Sequence, residues 1–319
     1  MKWQLFIALM VFLVLAACNK DEYVLMWTEL DSPSNSRLAD VTFTDELNGY
    51  AVGGTRWQHG ELLQTADGGA TWTLDTILNN NLNEILIQDG NIMIAGYQGF
   101  LLQYDANLMA RNVIQMSEKV ELHSIAYDSQ NNFVAIGGGS FDIGVIYHFN
   151  SLNTQPDTSF IDFPHEIQDV CYLTPNEVVA VGYGAVFKSY DGGRTWEAKP
   201  IQGEFFLTVN FPSPSIGYAA GFTGTIIKTT DGGESWEKLR NGNRLTTKRH
   251  VFRDILFTSN DKGYLIGDEG VFWITEDGGD SWKTVDLPDT RLNAIFYNSD
   301  YDTGYIVGDE GRIFKFEDE

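Results

Sequence analysis

An all-β fold, a seven-bladed β-propeller of four-stranded antiparallel blades, is what this 319-residue sequence predicts. Three observations point to it. An apolar stretch closed by glycine recurs every 39 to 46 residues, the spacing of a four-stranded propeller blade. The motif Asp-Gly-Gly-x-Ser/Thr-Trp follows that stretch in four places. Composition agrees, because 32 Gly against 8 Pro, with 43% hydrophobic residues, suits many short strands joined by tight turns.

The elements follow in order within each unit. Strand one has the form apolar-x-x-Ile/Val-x-apolar, in Leu38/Val41/Phe43, Leu82/Ile85/Ile87, Leu122/Ile125/Tyr127, Ile167/Val170/Tyr172, Phe206/Val209/Phe211, Phe252/Ile255/Phe257 and Leu292/Ile295/Tyr297. Its last two positions alternate as a half-buried strand requires. Strand two ends at the landmark glycine, which is Gly53, Gly96, Gly137, Gly182, Gly221, Gly267 or Gly308. A third strand, GTIIKT in unit five, leads to the Asp motif, and a fourth starts at its Trp. Unit seven stops before a fourth strand. The segment MWTEL, Met26 to Leu30, resembles the fourth strands elsewhere, so the N-terminal strand is expected to complete the last blade and close the ring.

The four full motifs carry Asp67 and Trp72, Asp191 and Trp196, Asp231 and Trp236, and Asp277 and Trp282; Asn150 and Asp318 stand at the Asp position in two others. Glycines there permit positive φ, the Asp accepts hydrogen bonds from the turn's amides, and the Trp covers a sheet edge. A catalytic constellation is built once, whereas this one is repeated, so the motif reads as structural, with calcium binding as the other reading. No metal-ligand spacing is visible among the five His, and no Gly-rich loop opens a helix. Neither a metal nor a cofactor is expected.

Residues 1–17, MKWQLFIALMVFLVLAA, have the layout of an export signal. Leu15-Ala16-Ala17-Cys18 resembles the lipobox of bacterial lipoproteins, which implies cleavage before Cys18 and a lipid anchor on its thiol. Residues 18–22 then form a charged tether resembling the surface-export signal of Bacteroidetes-type lipoproteins, and 23–319 form the propeller. The expected location is the bacterial cell envelope, on the outer membrane and facing the surface. The second cysteine, Cys171, sits in an apolar run, so no disulfide framework is expected. A net charge of −23, one lower without Lys2, argues against nucleic acid and anionic lipid headgroups as partners.

The GYAVG-type stretch, followed by G-x-I-x-K-T-x-DGG-x-[ST]-W at this period, resembles the BNR or Asp-box repeats of sialidases, sortilin-type receptors and xyloglucan-degrading enzymes. It is most similar to the photosystem II stability/assembly factor family, from Tyr23 to Glu319. That resemblance implies a non-enzymatic propeller that helps a membrane or surface protein complex assemble. Sialidases carry an Arg-Ile-Pro motif and three substrate-gripping arginines; the motif is missing here, and the early arginines are Arg37, Arg56 and Arg111.

Departures from the regular unit mark the candidate binding residues, since extra length in a propeller is where function is grafted. The unit-one loop carries Arg56, Trp57 and His59, and the unit-three loop carries Phe141. The link from unit five to unit six concentrates Lys238, Arg240, Arg244, Lys248, Arg249, His250 and Arg253. Such a patch suits an acidic protein segment or an anionic glycan, or else it neutralises neighbouring carboxylates. The alternative function is a glycan-binding or glycoside hydrolase propeller using Asp40, Glu84, Asp169 and Asp254, which precede the central Ile/Val of strand one and are expected near the axial mouth.

Overall fold

The computed structural model describes residues 23–318 except 79, 89, 106–109, 117, 129, 131, 152–154 and 157; the expected signal, Cys18 and the tether lie outside the described residues. The described chain is almost entirely strand, with helix confined to three single 3-10 turns, Tyr97–Gly99, Asp268–Gly270 and Asp309–Gly311. No helix among the described residues is long and apolar enough to cross a membrane.

Five antiparallel sheets have four strands each, and one has six. Unit one is typical: Arg37–Phe43, Gly49–Thr55, His59–Thr65 and Thr73–Leu78 lie side by side in chain order. Units two, three and six repeat that order. Units four and five share the six-stranded sheet, because the fourth strand of one runs on into the first strand of the next as Glu197–Asn210. The two landmark glycines there, Gly182 and Gly221, have the shortest spacing in the chain, which leaves little length for a turn between the units.

The last sheet joins the two ends of the described chain. Met26–Leu30 pairs antiparallel with Ile313–Glu317, from Met26 opposite Glu317 to Leu30 opposite Ile313. Trp27 packs edge-on against Phe314 at 5.8 Å, and Glu29 takes a bidentate salt bridge from Arg312 at 2.7 and 3.0 Å. Asp318 is buried and accepts the hydroxyls of Tyr23 and Tyr264, both at 2.8 Å.

One irregularity recurs in all seven units. Between strands one and two the register slips by one residue, so Ala39, Asn83, His123, Gln168, Leu207, Arg253 and Asn293 each sit in a β-bulge. A bulge bends the strand and re-aims the neighbouring side chains. The landmark glycine stands opposite the bulge: a Cβ on Gly53 would lie 2.0 Å from the Arg37 carbonyl oxygen, and one on Gly137 would lie 1.9 Å from that of Glu121. Close approach of the two backbones, not positive φ, keeps glycine there.

Apolar residues fill the spaces between successive sheets. Tyr218 of unit five stacks on Phe257 of unit six at 3.5 Å, and Tyr305 of unit seven stacks on Phe43 of unit one at 3.9 Å. The same two positions of the repeat make both contacts, so the sequence period is also the packing period.

Candidate functional site

The four Asp motifs hold themselves. In unit five the Thr229 hydroxyl donates to Asp231 Oδ1 at 2.7 Å and accepts the Gly233 N–H at 2.9 Å. The Ser235 N–H donates to Asp231 Oδ1 at 2.9 Å and its hydroxyl to Oδ2 at 2.5 Å. Equivalent bonds surround Asp67, Asp191 and Asp277. Trp196, Trp236 and Trp282 each donate the indole N–H back to the second glycine's carbonyl, at 2.9 to 3.2 Å. With both oxygens engaged, led by the Ser235 bonds, Asp231 is held down to about 2. Each motif satisfies its Asp within its own turn, while the buried Trp72 indole N–H of unit one makes no hydrogen bond, and no cluster of three or more metal-binding side chains occurs among the described residues.

A channel of about 740 Å³ is lined by all seven bulge residues. The four carboxylates singled out in the sequence also line it, and they hold neighbouring units together. Asp40 accepts the Val41 N–H at 2.8 Å on one oxygen and the Ile85 N–H of unit two at 2.9 Å on the other. Glu84 accepts the Ile125 N–H of unit three, Asp169 the Val209 N–H of unit five and Asp254 the Ile295 N–H of unit seven, at 2.6 to 2.9 Å. Hydroxyls take this place in units three and five, where Ser124 donates to Asp169 and Thr208 accepts the Ile255 N–H. Unit seven has Ala294 at the position, and its bulge residue Asn293 instead donates to the Leu38 carbonyl of unit one at 2.7 Å.

Burial opposes ionisation of these latches. It pushes Asp40 up to about 7 and Asp169 up to about 6, against the backbone donors that favour the carboxylate; Glu84 and Asp254 are also raised, by the same desolvation. Shifts of this kind accompany both catalysis and structural networks. Here each carboxylate already accepts a backbone N–H from the next unit of the repeat, which is a structural role.

Of the candidate binding residues, Arg56 and Arg253 line the channel. The candidates divide into two groups. Arg56 pairs with Glu121 and lies over the Tyr97 ring at 4.6 Å, while His59 Nε2 is 2.7 Å from Glu61. Arg240 donates to the carbonyls of Gly224 and Lys248 and stacks on Phe252 and Trp273, so it fastens its loop from within. Arg253 binds Asp268 through two nitrogens, at 2.8 and 3.1 Å. Burial, then Lys248 and Arg240, push His250 down to about 4. By contrast Trp57, Phe141, Arg244, Lys248 and Arg249 face solvent. Trp57 and Phe141 are 63% and 53% exposed and have φ of 66° and 67°, a conformation in which bulky residues are outliers.

Sequence reasoning missed three aromatic residues, Tyr183, Phe205 and Phe222. Phe205 and Phe222 line the channel. Cys171 is half-buried, and burial pushes its thiol up to about 12, so it is not a poised nucleophile.

A family model described as photosynthesis system II assembly factor YCF48 matches residues 19–121, 200–292 and 243–319. The chain belongs to that family. The YCF48 family likeness extends to solved structures. YCF48 bound to a D1 peptide matches with a TM-score of 0.70 and 20% identity, over 94% of this chain and 96% of that one. YCF48 from Cyanidioschyzon merolae matches with 0.70 and 16%, over 91% and 98%. The RRP9 WD40 repeats match with 0.75 and 7%, over 91% and 97%. At such identities the solved structures speak for the propeller fold alone. No curated protein matches the chain.

Proposed function

We propose that this chain is a lipid-anchored envelope protein that binds a polypeptide of a membrane or surface complex and assists its assembly. Residues 1–17 serve as its export signal, Cys18 carries the lipid, 18–22 form the tether, and 23–319 form one seven-bladed propeller. The strand Met26–Leu30 completes the seventh blade in this reading, supported by its pairing with Ile313–Glu317 and by the Asn293 bond back to Leu38.

The observation that carries the proposal is YCF48 family membership across most of the chain, joined to the exposure of Trp57, Phe141, Arg244, Lys248 and Arg249. One YCF48 binds a D1 peptide. This chain is proposed to use the same general capacity, the capture of a polypeptide segment, on a client of its own. The hydrolase alternative is the weaker reading, because Asp40, Glu84, Asp169 and Asp254 are spent on backbone N–H groups of neighbouring units.

The test is affinity capture from membranes with the full lipoprotein and with Arg244→Glu/Lys248→Glu/Arg249→Glu. The expected result is a membrane protein retained by the wild type and lost by the variant. An identical set of retained proteins, or none with either, would refute this placement of the binding face.

A further inference from the structure

Around the channel mouth the aromatic residues are continuous. The rings of Phe141, Tyr183 and Phe205 lie 5.3 to 5.7 Å from one another, and the Phe222 N–H donates to the Phe205 carbonyl at 2.9 Å. Phe141, Tyr183 and Phe222 are each about half exposed. Single exposed aromatics need no explanation, but a joined step with a polar rim marks an interaction surface.

The step is held in place. Glu166 accepts the Phe141 N–H at 2.8 Å and donates its own N–H to the Phe141 carbonyl at 3.0 Å. Gln168 donates to the same carboxylate at 2.8 Å, and His123 lies 3.6 Å from it. This clamp keeps a phenylalanine at positive φ with its ring turned outward, where a glycine would sit without strain.

The basic loop is fastened to the same place. Arg240 ties it to the Gly224 carbonyl, and the Gly242 N–H donates to Thr225 Oγ1 at 3.2 Å, so residues 241–249 stand beside the Phe222 turn. Arg244, Lys248 and Arg249 are exposed there, and Leu245 is wholly exposed between them. The salt bridge from Lys248 to Glu269 spans 3.9 Å between two mostly exposed side chains and is weak. On a chain of net charge −23, three exposed cations bordering an aromatic step are complementary to one kind of segment.

We propose that the step and the loop are one docking surface for an acidic polypeptide segment bearing an aromatic or large aliphatic side chain. That side chain seats on Phe141, Tyr183, Phe205 and Phe222, and the flanking carboxylates lie over Arg244, Lys248 and Arg249. A densely charged polyanion is a poorer occupant, since the rest of the protein repels it. The inference rests on the protein-binding reading and specifies the chemistry of the partner.

A fluorescein-labelled peptide of Glu and Ser with one central Trp, followed by fluorescence anisotropy, provides the test. Binding is expected at low salt and weakens as salt rises. Trp→Ala in the peptide, or Phe222→Ser in the protein, weakens it about tenfold, the scale of one interface anchor. Arg244→Glu/Arg249→Glu weakens it as much and also flattens the salt dependence, which Phe222→Ser leaves intact. The substituted side chains are exposed, so an unchanged urea midpoint confirms folding. No peptide binding, equal binding by the variants, or equal binding of a thymidine oligonucleotide or a sulfated glycan would overturn the proposal. If membrane capture succeeds but its partner is kept by Phe222→Ser, the protein-binding reading survives and this inference fails; if the wild type captures nothing, the reading itself fails.

Discussion

Asp40→Ala removes one latch between units. In the wild type its two oxygens accept the Val41 and Ile85 N–H groups at 2.8 and 2.9 Å, and both of those residues are at most 4% exposed. Each stranded N–H costs about 1–3 kcal/mol when it stays dry. Asp40 lines a channel of about 740 Å³, so water can enter and replace part of what is lost. The sum then falls toward the lower end, about 2–3 kcal/mol. Unit five uses Thr208 for the same task, its hydroxyl accepting the Ile255 N–H at 3.3 Å, so Asp40→Thr should recover part of the loss. Urea unfolding at about pH 5, where the shifted carboxyl is mostly protonated in the native state, reads both effects as midpoint changes at constant m-value. An Ala variant as stable as the wild type, or a Thr variant no better than Ala, would refute the latch.

Stability should fall as pH rises from about 4 to about 7, because Asp40 near 7 and Asp169 near 6 are raised above the unfolded value of about 3.9, and the native state therefore holds protons that the unfolded chain has released. Asp40→Asn/Asp169→Asn should flatten that slope in urea midpoints measured across the range; an unchanged slope would assign it to other groups. Trp72, only 8% exposed, should cost about 3–5 kcal/mol on truncation to Ala, and the half-buried Trp236 about 1 kcal/mol less; equal thermal midpoints for the two variants would contradict this. Removing residues 23–30 should lower the midpoint and bring concentration-dependent association, read by light scattering, because Ile313–Glu317 becomes an open edge; a monomer of undiminished stability would defeat it.

Much of this fold is legible because one arrangement is written repeatedly. The glycine that sets the period is the residue for which the bulge opposite leaves no room, as at Gly53 and Gly137. The Asp motifs are legible for a related reason, since their bonds run within a few residues and need no distant partner. The role of Asp40 is not legible in the same way. Its sequence position shows a carboxylate near a mouth, but the Ile85 N–H that it accepts lies 45 residues away and belongs to the next unit. A residue bound across units looks, from one unit alone, like a residue left free for chemistry.

The binding face divides along the same line. Trp57 and Phe141 stand in loops longer than their counterparts, and length shows in an alignment of the units. Tyr183 lies within the continuous strand Val178–Ser189 and Phe222 in a turn of ordinary length, each directly after the landmark glycine, so loop length does not reveal them. A signal was present at that position nonetheless: units two, four and five carry Tyr97, Tyr183 and Phe222, while units six and seven carry Asp268 and Asp309. The acidic pair is occupied by Arg253 and Arg291, and the aromatics of units four and five remain about half exposed. One position of the repeat thus has two fates among the units. Where a cation of the chain itself is at hand, the position is satisfied internally; where it carries an aromatic ring with no such partner, the surface stays open, and the open sector borders the basic loop.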